Sequence, residues 1–179
     1  MTNLQKLFIL LVFFSLVSCE SETTERSAGA QQASDLQSAQ PISEIDHLNA
    51  VLADSPSDFD ALSALGDLYF ESGRYQEAIQ TYDRALAVDP MCADCLNDKG
   101  LCLFFVGDPA GALVSFDRAN EFAPDYVNAW LSKGYVLISE KRYEEAMAPL
   151  NKVKQLDPQG AMAAEADKFL QIAVSRTFN

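Results

Sequence analysis

The chain has 179 residues, 49% hydrophobic and 22% charged, which is room for one domain of ordinary size with its own core. Its net charge of −13 argues against nucleic acid as a partner, because neutralising phosphates takes clustered Lys and Arg. A single His, at position 47, leaves little basis for a His-built metal site or His-based catalysis.

Lys6 is followed by an apolar run, Leu7 through Leu16, that stops at Cys19 and Glu20. The 12 residues from Leu7 to Ser18 fall short of the roughly 20 that a spanning helix needs. A positive start, a short apolar stretch and a small-residue exit describe an export signal. Nothing polar interrupts the run to give it a second face, so it does not read as a buried first helix. By composition alone, the segment is a cleaved signal or a short uncleaved anchor. Its exit, Leu16-Val17-Ser18-Cys19, resembles the lipobox of bacterial lipoproteins. The resemblance implies a signal peptide at 1–18 and a lipid such as palmitate on Cys19. It also implies a place in the bacterial cell envelope, with the outer membrane favoured over the inner.

Residues 19–41 carry that Cys and then Ser, Gln, Ala, Thr and Glu, with Leu36 as the one large apolar side chain. Such a stretch cannot offset its own ordering entropy and is expected to be a flexible tether. A coil of this length has an r.m.s. reach of roughly 25 Å.

From residue 42 the character changes. Ile45, Leu48, Val51 and Leu52 follow helical spacing, which predicts a helix within 42–58. Beyond it the chain repeats with a step of 34: Gly66, Gly100 and Gly134; Ala78, Ala112 and Ala146; Tyr82, Phe116 and Leu150; Pro90, Pro124 and Pro158. The windows are 59–92, 93–126 and 127–160. Each holds two apolar stretches at helical spacing, neither long enough to be stable alone. The glycines and paired alanines leave room for close approach of two helices. Gly73 and Gly107 fall between the stretches, where a left-handed turn is needed, and Lys141 stands at that place in the third window. Pro149 lies inside the last predicted helix and removes one backbone donor.

These offsets resemble the tetratricopeptide repeat; the first window supplies Leu62, Leu65-Gly66, Tyr69, Ala78, Tyr82, Ala85 and Pro90. Lys99 and Lys133 depart from the pattern, standing where it has Leu before Gly. The expected fold is all-α: a right-handed α-solenoid of about three helix pairs. Residues 42–58 form an N-terminal half repeat in this reading, and 161–179 a C-terminal capping helix and tail.

The resemblance also implies a concave groove lined by the first helix of each repeat. Its positions here are Asp60, Ser63, Asp67, Phe70 and Glu71 in the first window and Asp94, Asn97, Leu101, Phe104 and Phe105 in the second. The third window supplies Asn128, Leu131, Tyr135, Ile138 and Ser139. Such a groove would be acidic at one end and apolar-aromatic in the middle and at the far end. An apolar patch of Leu101, Phe104, Leu131, Tyr135 and Ile138 would need a partner, unless those side chains pack on one another. Relatives that clamp a chaperone's C-terminal carboxylate use basic and amide side chains. The matching positions here are Ser63, Asp67, Asp98, Asn128 and Ser132, of which two would repel a carboxylate. A peptide or helix with apolar anchors and some basic character fits better.

Cys92 and Cys95 form a CxxC where one repeat ends and the next helix begins. A local disulfide, two incidental thiols and a catalytic dithiol are the readings open to it. Haem attachment fails because Leu96 stands where His is needed, and zinc lacks a second ligand pair. Cys102 reads as a small core residue. No catalytic motif, cofactor or metal site emerges. The expected function is a non-enzymatic, lipid-anchored interaction adaptor, with help in assembling an envelope complex as one role. The alternatives are a thiol-redox protein using Cys92 and Cys95, or a self-associating envelope protein.

Overall fold

The computed structural model describes residues 44–177, so the expected signal peptide, Cys19 and the tether lie outside the described residues. The chain divides into two compact units, residues 1–47 and 48–179. Of the first, residues 44–47 are helical, with His47 exposed. All further description concerns the second.

That unit is built of helices. α1 covers residues 48–54, followed by α2 Phe59–Glu71, α3 Tyr75–Val88, α4 Ala93–Phe105 and α5 Pro109–Phe122. Then come α6 Val127–Ser139, α7 Tyr143–Leu156 and α8 Ala161–Thr177. No strand occurs among the described residues. From α2 onward each helix packs against the next, and α2, α4, α6 and α8 also pack side by side in that order. The result is two layers: α2, α4, α6 and α8 in one, α3, α5 and α7 in the other. This is the right-handed helical solenoid that the resemblance implied.

The step explains the core. Ala78, Ala112 and Ala146 are fully buried, as are Tyr82, Phe116 and Leu150, and so are Ala85, Ala119 and Val153. Burying one such large side chain contributes about 3 kcal/mol. Each member of the second set lies over a glycine of the helix it pairs with. A Cβ placed on Gly100 would stand 2.5 Å from the Phe116 ring, and one on Gly66 2.6 Å from the Tyr82 ring; Gly134 has the same relation to Leu150. The close approach is thus made by a large side chain against bare backbone: a ring in the first two repeats and Leu150 in the third.

The turns between paired helices share one geometry. Gly73 and Gly107 have φ of 73° and 87°, and Lys141 has φ of 60°. In all three the backbone N–H groups after the helix return to its last turn, as in Arg74 N–H to the Tyr69 carbonyl, Asp108 to Leu103 and Arg142 to Leu137, each 2.8 Å. Helix starts are capped by Asp58, whose carboxylate accepts from the Ala61 N–H, and by Asp108, which accepts from Gly111, both at 2.9 Å. α7 runs on through Pro149, which is buried and has no N–H to offer the Glu145 carbonyl.

Candidate functional site

Stacking α2, α4, α6 and α8 side by side brings one aromatic residue after another to the surface of that layer. The series begins where α2 turns into α3. Tyr75 and Phe70 meet edge to face at 5.9 Å, and Tyr75 stacks on Phe105 at 4.6 Å. Phe105 neighbours Phe104, Phe104 meets Tyr135 edge-on at 5.7 Å, and Tyr135 meets Phe169 of α8, also at 5.7 Å. One continuous ladder therefore crosses all four helices. Aromatic pairs of this kind contribute about 0.5–1.5 kcal/mol each beyond their buried area. Tyr75, Phe104, Phe105 and Tyr135 remain half-buried, as does Ile138, while Ile172 is 41% exposed. Burial holds the Tyr75 and Tyr135 hydroxyls above the ordinary tyrosine range, so both stay neutral donors.

The expected groove residues divide into two sets. Asp60, Glu71 and Ser139 are exposed, and Ser63, Asp67, Asp94, Phe104, Phe105, Asn128, Tyr135 and Ile138 are half-buried. Phe70, Asn97, Leu101 and Leu131 are buried, Leu131 to 1% and Leu101 to 3% exposure. The expected open patch is therefore corrected: Leu101 and Leu131 are buried and offer no surface. Phe104, Tyr135 and Ile138 do. Two contributors escaped the sequence reading. Tyr75 belongs to a second helix, which the groove rule does not cover. Phe169 lies one further 34-residue step beyond Tyr135, a signal that was there to be used.

Polar side chains of the first three repeats are paired with one another. The Tyr82 hydroxyl donates to Asp67 Oδ1 at 2.7 Å, and the Tyr126 hydroxyl donates to Asp94. The Asn128 amide donates to the Tyr126 oxygen at 3.2 Å, and that of Asn97 to Asp98 at 3.0 Å. Burial, reinforced by Asp98 and Asp67 around Tyr82 and by Asp94 around Tyr126, pushes both phenols far above their ordinary range.

Cys92 and Cys95 form a disulfide with a Cα–Cα distance of 5.4 Å, set across the first turn of α4. Cys95 is buried and its sulfur lies 3.9 Å from the Ser63 hydroxyl. Cys102 is buried and takes no part in the disulfide. Among the described residues no group of three or more His, Cys, Asp or Glu is placed to hold a metal ion. No helix among them is long and apolar enough to cross a membrane. A concavity of about 520 Å³ opens between α5, α6 and α7, around Trp130, Leu137 and Pro149. Its rim charges are largely satisfied by the pairs Lys133–Asp117 and Arg142–Glu145.

The repeat, the glycine seats and the two-layer stacking define a class of helical repeat protein, and comparison names it. The family model described as Tetratricopeptide repeat matches residues 45–90, 63–126 and 97–161, and the chain belongs to that family. Among curated relatives, Protein FlbA of Caulobacter vibrioides is 31% identical over 93 residues, which is 52% of this chain and 16% of FlbA. The chain therefore spans about a sixth of that relative's length. Among solved structures, the MamA protein superposes with a TM-score of 0.65 at 19% identity, covering 80% of this chain and 86% of MamA. The first repeat domain of Spaghetti (RPAP3), bound to the HSP90 peptide SRMEEVD, gives 0.63 at 22% identity, covering 68% and 94%. At these identities the likeness shows the fold.

Proposed function

We propose that this protein is a non-enzymatic adaptor that holds a segment of a protein partner against the α2–α4–α6–α8 layer, while a lipid on Cys19 tethers it to a membrane. The observation that carries the reading is the aromatic ladder: side chains that rigidify one another, with Phe70 and Phe169 buried at its ends while Tyr75, Phe104, Phe105 and Tyr135 keep part of each ring open to the outside. Rigid aromatic anchors cost little entropy on binding and dominate interface energetics. An acidic carboxylate tail of the kind that the Spaghetti domain binds does not suit this chain, because acidic Asp67 and Asp98 take two of the positions at which carboxylate-clamping relatives carry basic or amide side chains.

The lipid half of the proposal rests on the Leu16-Val17-Ser18-Cys19 exit and on the tether behind it. Several acyl chains on one Cys hold stably to a bilayer at about 0.8 kcal/mol per buried methylene, where a single chain is marginal. The acidic body does not favour an anionic membrane surface, so attachment runs through lipid and leaves the repeats free to receive a partner. The bacterial envelope, the outer membrane before the inner, is the location this implies.

Replacing Phe104 and Tyr135 together by Glu tests the groove. Both are half-buried on an open face, so the variant is expected to keep its helical content by circular dichroism and to lose partner capture in crosslinking from the native membrane. Undiminished capture by a folded double variant would refute the assignment. Cys19→Ala, followed by membrane fractionation, tests the anchor separately.

A further inference from the structure

The 34-residue step allows the groove to be read position by position along its length. At its second, ninth and thirteenth positions the first repeat carries Asp60, Asp67 and Glu71. One step beyond the third repeat, α8 carries Met162, Phe169 and Ala173 at the same places. Phe169 and Ala173 are buried, so along this axis the groove loses its charge, and its surface at the far end is uncharged. The whole unit follows the same gradient: residues 48–126 hold fourteen acidic and four basic side chains, and residues 127–177 hold six acidic and seven basic. Asp60 and Glu71 are exposed and enter none of the ion pairs among the described residues, so their charge faces outward. The accessible apolar surface at the other end comes from half-buried Tyr135 and Ile138 and from exposed Ile172.

We propose that the groove's occupant is an amphipathic protein segment, cationic at one end, bound in a single polarity: its Lys or Arg residues over α2, its aromatic or aliphatic anchors over α6 and α8. The inference rests on the adaptor reading above and specifies the chemistry of the partner. The reverse polarity would leave the bases over an apolar, slightly positive end and forfeit the field of the acidic repeats. Complementary potentials of this kind set orientation and speed encounter more than they add affinity.

The test uses the full chain and two synthetic peptides: a Lys/Arg block joined to a Leu/Phe block, and a twin with Glu in place of every base. Each carries a benzophenone at its charged end. The basic peptide is expected to bind more tightly than its twin and to crosslink into α2. Asp60→Asn combined with Glu71→Gln should weaken the basic peptide about fivefold at low salt. That difference should vanish near 1 M salt, where the Debye length is about 3 Å. Equal binding of the two peptides, or crosslinks from the basic end into α6 or α8, would overturn the charge inference. Sensitivity of that binding to Phe104→Glu with Tyr135→Glu would then leave the adaptor reading standing. Binding indifferent to Phe104→Glu with Tyr135→Glu, or no binding of either peptide, would overturn both.

Discussion

Lys141 sits in the left-handed region at a turn where Gly73 and Gly107 sit in the two preceding repeats. Left-handed backbone costs an L-residue about 1–2 kcal/mol relative to helix, and glycine escapes that cost while losing more entropy on folding. The Lys141 side chain is exposed and enters none of the ion pairs among the described residues, so none of those pairs offsets the strain. Lys141→Gly is therefore expected to stabilise the fold by about 1 kcal/mol, read as a raised urea midpoint at constant slope. The buried phenols give a second expectation at this scale. The folded-state pKa values of Tyr82 and Tyr126 are raised above 10, so the unfolded chain loses those protons first. Their stabilisation is complete below pH 10 and falls as the pH rises above it, by up to about 1.4 kcal/mol per pH unit for each. Stability measured from pH 8 to 12 should show this fall, and Tyr82→Phe should shallow it.

Between elements, the departures from the repeat pattern turn out to be a joint. Lys99 of α4 reaches back to Asp83 of α3 at 2.5 Å, and Lys133 of α6 makes the same pair with Asp117 of α5. At the third junction the corresponding charge is Asp167 of α8, and Lys154 of α7 supplies its cation at 2.6 Å. Each consecutive pair of repeats is thus tied at one place, with the polarity inverted at the last. Asp83 is 55% exposed, so Lys99→Leu strands no buried charge and restores the apolar residue that Leu65 provides in the first repeat. That variant should keep wild-type stability within about 1 kcal/mol and reduce its dependence on salt, measured by thermal unfolding at low and high ionic strength. The helices and their pairing were legible because glycine, alanine and aromatic side chains must recur wherever two helices approach closely. The ion pairs were not read, although Asp83 and Asp117 recur at the same step as their lysines, because surface charges on helices are common and a pair shows only when two helices are placed side by side. The groove was half legible for a related reason. Register tells which side of a helix a residue takes, and only packing decides that Leu101 is buried while Phe104 keeps part of its ring at the surface.

For the whole molecule, what matters is that a solenoid has ends. The side of a first helix that receives its second helix carries Leu62 and Leu65 in the first repeat. At the corresponding places α8 has Ala164, Asp167, Lys168 and Gln171, all exposed, so this side of the helix is compatible with water. Its other side carries Ala163, Ala166, Phe169 and Ala173, all buried, and it packs on α6 and α7. α8 therefore closes the apolar core of the third repeat and extends the aromatic ladder by its last ring. In a repeat stack each unit is stabilised by its neighbours, so losing an end should act locally before it acts globally. A chain ending at Gln159 would expose the faces of α6 and α7 that Phe169 and the alanines cover. The expected outcome is faster amide hydrogen exchange through residues 127–156, with α2 and α3 nearly unchanged. Uniform acceleration from α2 to α7 would mean that the stack unfolds as one block, and that α8 supports all of it rather than the repeat it covers.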